Sequence, residues 1–194
     1  MALTRVTTYF DVHDAKVYKL STDVAGASPT YTAGIDVPGI SEISLDPQIT
    51  AALLKGDARI LDRKSRIDSF QFSLTYSRLS LDVIDAVVGS TGSTSGTTPN
   101  RRQDSVVLGN VQMPYYKLEV AINDTDTGLG TFNIVLYKAK TTGGTLVSGQ
   151  TDEYGRPQLQ GEAIPAEGTI TINSVAHVNP LARFTLFESL TALP

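Results

Sequence analysis

Residues 66–89 read RIDSFQFSLTYSRLSLDVIDAVVG, and a change of period inside this stretch decides the fold class. Phe70, Phe72, Leu74 and Tyr76 alternate with Gln71, Ser73 and Thr75, the period-two pattern of a strand buried on one face. From Leu81 the period lengthens. Leu81, Ile84 and Val88 recur at helical spacing, and Val83 and Val87 widen the apolar stripe. Ser80 is a good N-cap, Asp82 and Asp85 suit the positive end of the helix dipole, and Gly89 suits a left-handed stop. A strand therefore feeds a short helix, residues 80–88, whose apolar side covers the face that the strand has just built.

Upstream, residues 1–13 read as an irregular or extended N-terminal arm and residues 14–20, DAKVYKL, as a first strand. Residues 31–35 are expected to be extended, Val37-Pro38-Gly39 to turn, and residues 40–45 to form a strand with Ile43 and Leu45 inward. Residues 46–64, DPQITAALLKGDARILDRK, mix apolar Leu53, Leu54, Ile60 and Leu61 with Lys55, Asp57, Arg59, Asp62, Arg63 and Lys64. Gly56-Asp57 is expected to turn a hairpin there. Such a segment reads either as a partner-binding loop or as a long surface hairpin.

Downstream, residues 89–105, GSTGSTSGTTPNRRQDS, offer little to bury and are expected to be flexible, with Arg101-Arg102 as solvated charges. The second half has the texture of a β protein. Residues 115–122 place Leu118, Val120 and Ile122 on one face, and residues 131–138 turn Phe132, Ile134 and Leu136 inward. Gly143-Gly144 suits a hairpin turn, and Gly161 within residues 159–164 marks a bulge or a close approach. Residues 169–175 alternate again, and residues 177–194 are expected to form a last strand or arm. One helix cannot supply the crossovers that parallel strands need, so about eight strands imply a mainly β fold. Its expected form is two packed antiparallel sheets, a sandwich or split barrel flanked by one α-helix.

Composition excludes several chemistries. The length of 194 residues fits one domain, or one domain with arms. A net charge of −4 argues against a dedicated DNA-binding surface, which needs clustered Lys and Arg. The absence of Cys removes disulfides, thiolate metal sites and Cys nucleophiles, and His13 and His177 are too isolated to frame a zinc site. No apolar run is long enough to span a membrane, and MALTRVTTYFDVHD lacks an apolar signal core, so folding in a cytoplasm is expected. NDTDTG, with Asp124 and Asp126, resembles the start of a calcium loop, but Val135 stands where the closing Glu belongs. No nucleophile elbow, Walker loop or GxGxxG occurs, and adjacent Asp152 and Glu153, since neighbours on one chain rarely flank a sugar, read better as a solvated turn before Gly155. No cofactor, no metal and no catalytic site are expected.

The order of parts carries a resemblance. DVPGISEISLDP, the mixed hairpin after it and IDSFQFSLTYSRLSLDVIDAVVG are followed by MPYYKLEVAINDTD, GTFNIVLYKAKTTGGTLVSG and PQLQGEAIPAEG. This succession resembles the major tail tube proteins of long non-contractile-tailed bacteriophages over residues 14–176. The resemblance implies a virion protein assembled in the host cytoplasm, with no enzymatic activity. It implies homo-hexameric rings whose inner sheets join into one β-barrel and which stack into a tube, with the tape-measure protein and the tail terminator as partners. DNA would pass through the lumen without specific binding. Residues 46–64 would then be the loop that reaches a neighbouring ring. Leu53, Leu54, Ile60 and Leu61 would anchor that contact, and Lys55, Asp57, Arg59, Asp62 and Arg63 would fix its register. The helix would lie outside, and Gln71, Ser73, Thr75, Thr131 and Asn133 are the candidate lumen residues.

Two other readings compete. One is a β-sandwich binding module of a phage tail tip or baseplate, taking carbohydrate or protein. Sugar binders present aromatic platforms, but Trp is absent and the adjacent Tyr115 and Tyr116 point to opposite faces of a strand. The other is a small β-rich hydrolase, which the scarcity of His and the absence of Cys disfavour.

Overall fold

The computed structural model describes residues 8–56, 59–110, 112–124, 130–149, 151–187 and 193. Among them, thirteen strands and one helix follow in order: β1 (Tyr9–Thr22), β2 (Thr30–Tyr31), β3 (Ile35–Asp36), β4 (Ile40–Gly56), β5 (Arg59–Tyr76), α1 (Leu81–Val88), β6 (Thr91–Ser95), β7 (Arg102–Val106), β8 (Tyr116–Asp124), β9 (Thr131–Thr145), β10 (Gln158–Ala163), β11 (Thr169–Ile172), β12 (Val175–Val178) and β13 (Ala182–Phe187). Nine strands form one sheet in the order β2-β1-β8-β9-β10-β5-β4, with β3 added to β1 and β13 to β9. Two separate hairpins, β6-β7 and β11-β12, complete the set.

The mainly β, antiparallel, one-helix reading holds. The two layers expected from the sequence are wings of a single sheet that forks at β9. One edge of β9 pairs with β8. The other pairs with β13 over residues 131–136 and with β10 over residues 139–145. The sheet also curls. β1 and β4 stand near opposite ends of the strand order, yet their Cα atoms come within 8 Å. The Val37 N–H donates to the Ala15 carbonyl at 2.8 Å and so starts β4 beside β1.

The strand–helix unit forms as its periodicity requires. Phe72, Leu74 and Tyr76 are buried, and α1 buries Val83, Ile84, Ala86, Val87 and Val88 in the same core. Burial of Val- and Ile-sized side chains stabilises by about 1.5–3 kcal/mol each. The Val83 N–H donates to Ser80 Oγ at 3.5 Å, and Gly89 ends the helix at φ 81°. The core continues through Ala15 and Val17 of β1, Leu118 and Val120 of β8, Ile134 and Leu136 of β9, and Leu159 of β10.

Several boundaries differ from the sequence reading. The first strand begins at Tyr9, inside the expected arm, because two register shifts and a positive φ at Asp11 break the alternation before Asp14. Residues 89–105 are not a loose loop. β6 and β7 pair in register and hang on the helix: Gln103 Nε2 donates to Asp82 at 2.9 Å, Ser105 Oγ donates to Asp85 at 2.5 Å, and Ser90 Oγ also donates to Asp85. Hydrogen bonds, not apolar burial, order this ribbon. Gly143 and Gly144 lie within β9 instead of turning it. Gly144 has φ 114°, and a Cβ there would strike Gln158 O, so β9 passes β10 too closely there for a side chain; the register shift between the two strands falls beside it, at Thr142.

Gly161 is the close approach that its position indicated. A Cβ on it would enter the Phe72 ring and lie 2.6 Å from Lys140 O. Residues 169–175 are not one strand but the start of the β11-β12 hairpin, turned by Asn173 and Ser174 at positive φ, with His177 exposed in β12. β13 joins the central sheet and is not an arm. Beyond it, Leu193 is buried and its carbonyl accepts from Lys16 Nζ at 2.7 Å. Most of the turn expected around NDTDTG lies outside the described residues.

Candidate assembly surfaces

The mixed segment 46–64 is not a separate loop. β4 and β5 stay paired from Ile40↔Tyr76 to Gly56↔Arg59, so the hairpin continues the core strands outward as a two-stranded arm. Asp57 lies outside the described residues, and Lys55, Arg59 and Leu61 fall within the paired strands, Leu61 at the register shift after Leu54.

Alternation sorts the arm into two faces. Leu45↔Phe72 and Pro47↔Phe70 belong to the core face. The same face then carries Ile49↔Ile67, Ala51↔Ser65 and Leu53↔Arg63. The opposite face carries Thr50↔Arg66, Ala52↔Lys64 and Leu54↔Asp62. No described element covers either face. Ile49 is 58 % exposed, Leu53 49 %, Leu54 61 %, Ile60 60 % and Ile67 50 %. Of the expected anchors, Leu53, Leu54 and Ile60 are thus brought onto one projecting ribbon, with Asp62 and Arg63 beside them. Ile49 and Ile67 were missed; the spacing of Ile49, Ala51 and Leu53 was the available signal. At the base of the arm, Phe70 meets Phe184 edge-on at 6.3 Å, and Phe184 stacks on Phe132 at 6.1 Å. On the polar side, the Thr50 hydroxyl and the Arg66 guanidinium, 2.7 Å away, hold Asp68 below the usual carboxylate range.

The candidate lumen residues divide. Gln71, Ser73 and Thr75 share one face with Asp46, Ser44 and Glu42 of β4 and with Glu162, Gln160 and Gln158 of β10. This face is open and polar. Gln158 Nε2 donates to Ser73 Oγ at 2.8 Å, Gln160 Nε2 donates to Gln158 Oε1 at 3.1 Å, and Ser69 Oγ donates to Glu162 at 2.6 Å. Its acids are Glu42, Asp46 and Glu162, and Lys140, opposite Glu162 on β9, is its base.

Thr131 and Asn133 lie on the same side of the sheet but are buried, at 1 % and 6 % exposure, and face no channel in this chain. On that side a second layer covers part of the β1-β8-β9 half. Residues 22–31 and 164–181 fold across it: Tyr31 Oη donates to Tyr137 O at 2.9 Å, and the Thr169 N–H donates to Ala27 O at 2.9 Å. Val135, Tyr137 and Ala166 form a small core beneath, with Ile170 against it.

Two nearly buried ion pairs lie at this layer, and the first of them ties it to the sheet. Lys138 meets Asp23 at 2.7 Å, and Lys117 meets Glu119 at 2.9 Å with its ammonium 3.8 Å from the Tyr18 ring centroid. Burial and the adjacent Glu119 carboxylate push the Tyr18 hydroxyl far up. Tyr115 and Tyr116 do face opposite ways: Tyr116 is in the core, and Tyr115 lies beneath Lys138 and Lys140. No model of a known protein family matches the chain, and no curated protein matches it in sequence.

Proposed function

We propose that this chain is the structural subunit of a bacteriophage tail tube, assembling into hexameric rings that stack into a conduit for DNA. The observation that carries the reading is the β4-β5 arm, an apolar ribbon that projects from the core and is covered by nothing described in its own chain. Two further features support it. The outer edge of β4 pairs with no described strand along the whole of residues 40–56. Open edges of that length are liabilities in a monomer and vanish when subunits close into a ring. The open face around Gln71, Ser73 and Thr75 carries hydroxyls, amides and a slight excess of acid, a surface along which a polyanion slides without sticking. Arg66 continues that face onto the arm, where it is paired with Asp68 at 2.7 Å.

Negative-stain microscopy of the concentrated protein tests this. Six-fold rings or tubes are expected, and a strict monomer at every concentration sinks the reading. A shortened arm, with residues 50–66 replaced by an Asn-Gly turn between paired Ile49 and Ile67, is expected to fold normally and to fail in stacking.

A further inference from the structure

The arm differs in charge from the rest of the chain. Residues 48–68 hold five Lys or Arg against three Asp, within a chain of net charge −4. Arg63 and Lys64 are exposed and take part in no ion pair among the described residues. At the other end of β4 the signs are reversed. A groove of about 960 Å³ opens between β3, the first turn of α1 and the β6-β7 ribbon. Ile35, Asp36, Pro38, Asp82, Asp85 and Ser93 line it.

Among the described residues these acids have no ion-pair partner. Asp82 and Asp85 accept hydrogen bonds from the neutral Gln103, Ser90 and Ser105, and neither they nor Asp36 form an ion pair among the described residues. Burial, then the neighbouring Asp14 carboxyl, raises the Asp36 pKa against the opposing pull of Lys16. Lys19 is the cation on the groove wall among the described residues.

Pro38 stands two residues before β4, and β4 runs for 17 residues. At roughly 3.3 Å per residue, groove and arm tip lie on the order of 50 Å apart, at opposite ends of the subunit. They cannot meet within one chain. Between two copies arranged head to tail they can, and a head-to-tail contact repeats without closing.

We propose that the arm of one subunit docks in the groove of a second copy of this chain. Arg63 and Lys64 neutralise Asp36 and Asp82 there, and the apolar residues of the arm cover Ile35 and Pro38. The inference rests on the tube reading, which supplies repeating assembly, and adds to it the surface that receives the arm.

The absence of Cys makes a direct test simple. Full-length Lys64→Cys and Ser93→Cys chains are mixed under assembling conditions and treated with a short bismaleimide. A cross-linked pair is expected in the mixture and not in either variant alone. Separately, Arg63→Glu/Lys64→Glu is expected to weaken stacking at least about 10-fold at low salt, since like charges then face each other across the interface. Asp36→Arg/Asp82→Arg is expected to do the same, and a mixture of the two to restore it. Stacked rings without the cross-link and without charge-swap rescue overturn this inference and leave the tube reading standing. No assembly by the unaltered chain under any condition overturns both.

Discussion

Lys138→Met tests how the covered half of the sheet is sealed. The Lys138 and Asp23 side chains are 10 % and 6 % exposed, with Nζ 2.7 Å from Oδ2. Asp23 also accepts the N–H groups of Glu167 at 3.1 Å and Gly168 at 2.9 Å. Burial opposes both charged forms, yet the pair's hydrogen bond and attraction outweigh it, so Asp23 titrates below and Lys138 above its ordinary range. Removing the ammonium leaves a buried carboxylate with two N–H donors and no cation. Glu167 gives no help, being mostly exposed and itself anionic. Breaking a buried pair costs about 3–5 kcal/mol, and the two surviving donors reduce this to about 2–4 kcal/mol. Met nearly conserves the shape of the stem, so little packing is lost.

The pH dependence separates this cause from simple packing loss. In the natural chain Asp23 has a lowered folded pKa. Its contribution is present above the unfolded value of about 3.9 and is lost as pH falls through the folded one. In Lys138→Met the attraction is gone, burial dominates, and the Asp23 pKa rises above its unfolded value. The deficit is then full near neutrality and shrinks as pH falls through the raised value. Urea unfolding at about pH 7 and about pH 4.5, with Asp23→Asn/Lys138→Met as the companion variant, reads this directly. The double variant is expected to be more stable at neutral pH than Lys138→Met alone. A deficit below about 1 kcal/mol, or one that does not change with pH, refutes the reasoning.

Three other outcomes follow from local geometry. Ser80→Ala removes the hydroxyl that accepts the Val83 N–H and should cost about 1 kcal/mol in chemical denaturation, with a near-zero effect showing that the 3.5 Å bond is not a working cap. Gly161→Val drives methyls into the Phe72 ring and the Lys140 carbonyl, and should lower stability by about 3 kcal/mol or prevent soluble expression; a stable variant would mean that β9 and β10 can separate there. Asp85→Ala removes the acceptor shared by Ser90 and Ser105, so amide exchange in residues 91–106 should accelerate at least about 10-fold, while protection in β5 and β8 stays as it was. Equal acceleration everywhere would show instead that Asp85 supports the whole core.

What could be read from the sequence was whatever depended on neighbours along the chain. The alternation of Phe70 to Tyr76 and the helical spacing after Ser80 each report one buried face, and the structure places both as their period demands. What could not be read depended on partners far away. Nothing within GSTGSTSGTTPNRRQDS reveals that Asp82 and Asp85 of the preceding helix will hold it. Thr131 and Asn133 look like solvent-facing positions because alternation distinguishes two faces but not which polar positions end up covered. A signal was present nonetheless. Ile134, Val135, Leu136 and Tyr137 form an uninterrupted apolar run, the mark of a strand covered on both sides, and all four are buried.

The arm poses a problem that a solitary subunit does not solve. A two-stranded ribbon beyond the core is marginal in water, and this one adds an open edge with no charge between Asp46 and Lys55. Pro47 is the single residue there that blunts an edge by lacking an N–H donor. Ile49, Leu53, Ile60 and Ile67 lie beyond the reach of the core cluster, so their exposure brings no internal packing in return. Covering them on a second copy removes the aggregation hazard and orders the ribbon in one step. The same logic separates the two hairpins on either side of the helix. The β6-β7 ribbon is polar and satisfied within its own chain, whereas the β4-β5 arm is apolar, basic and unsatisfied, so its order and its partner are the same question.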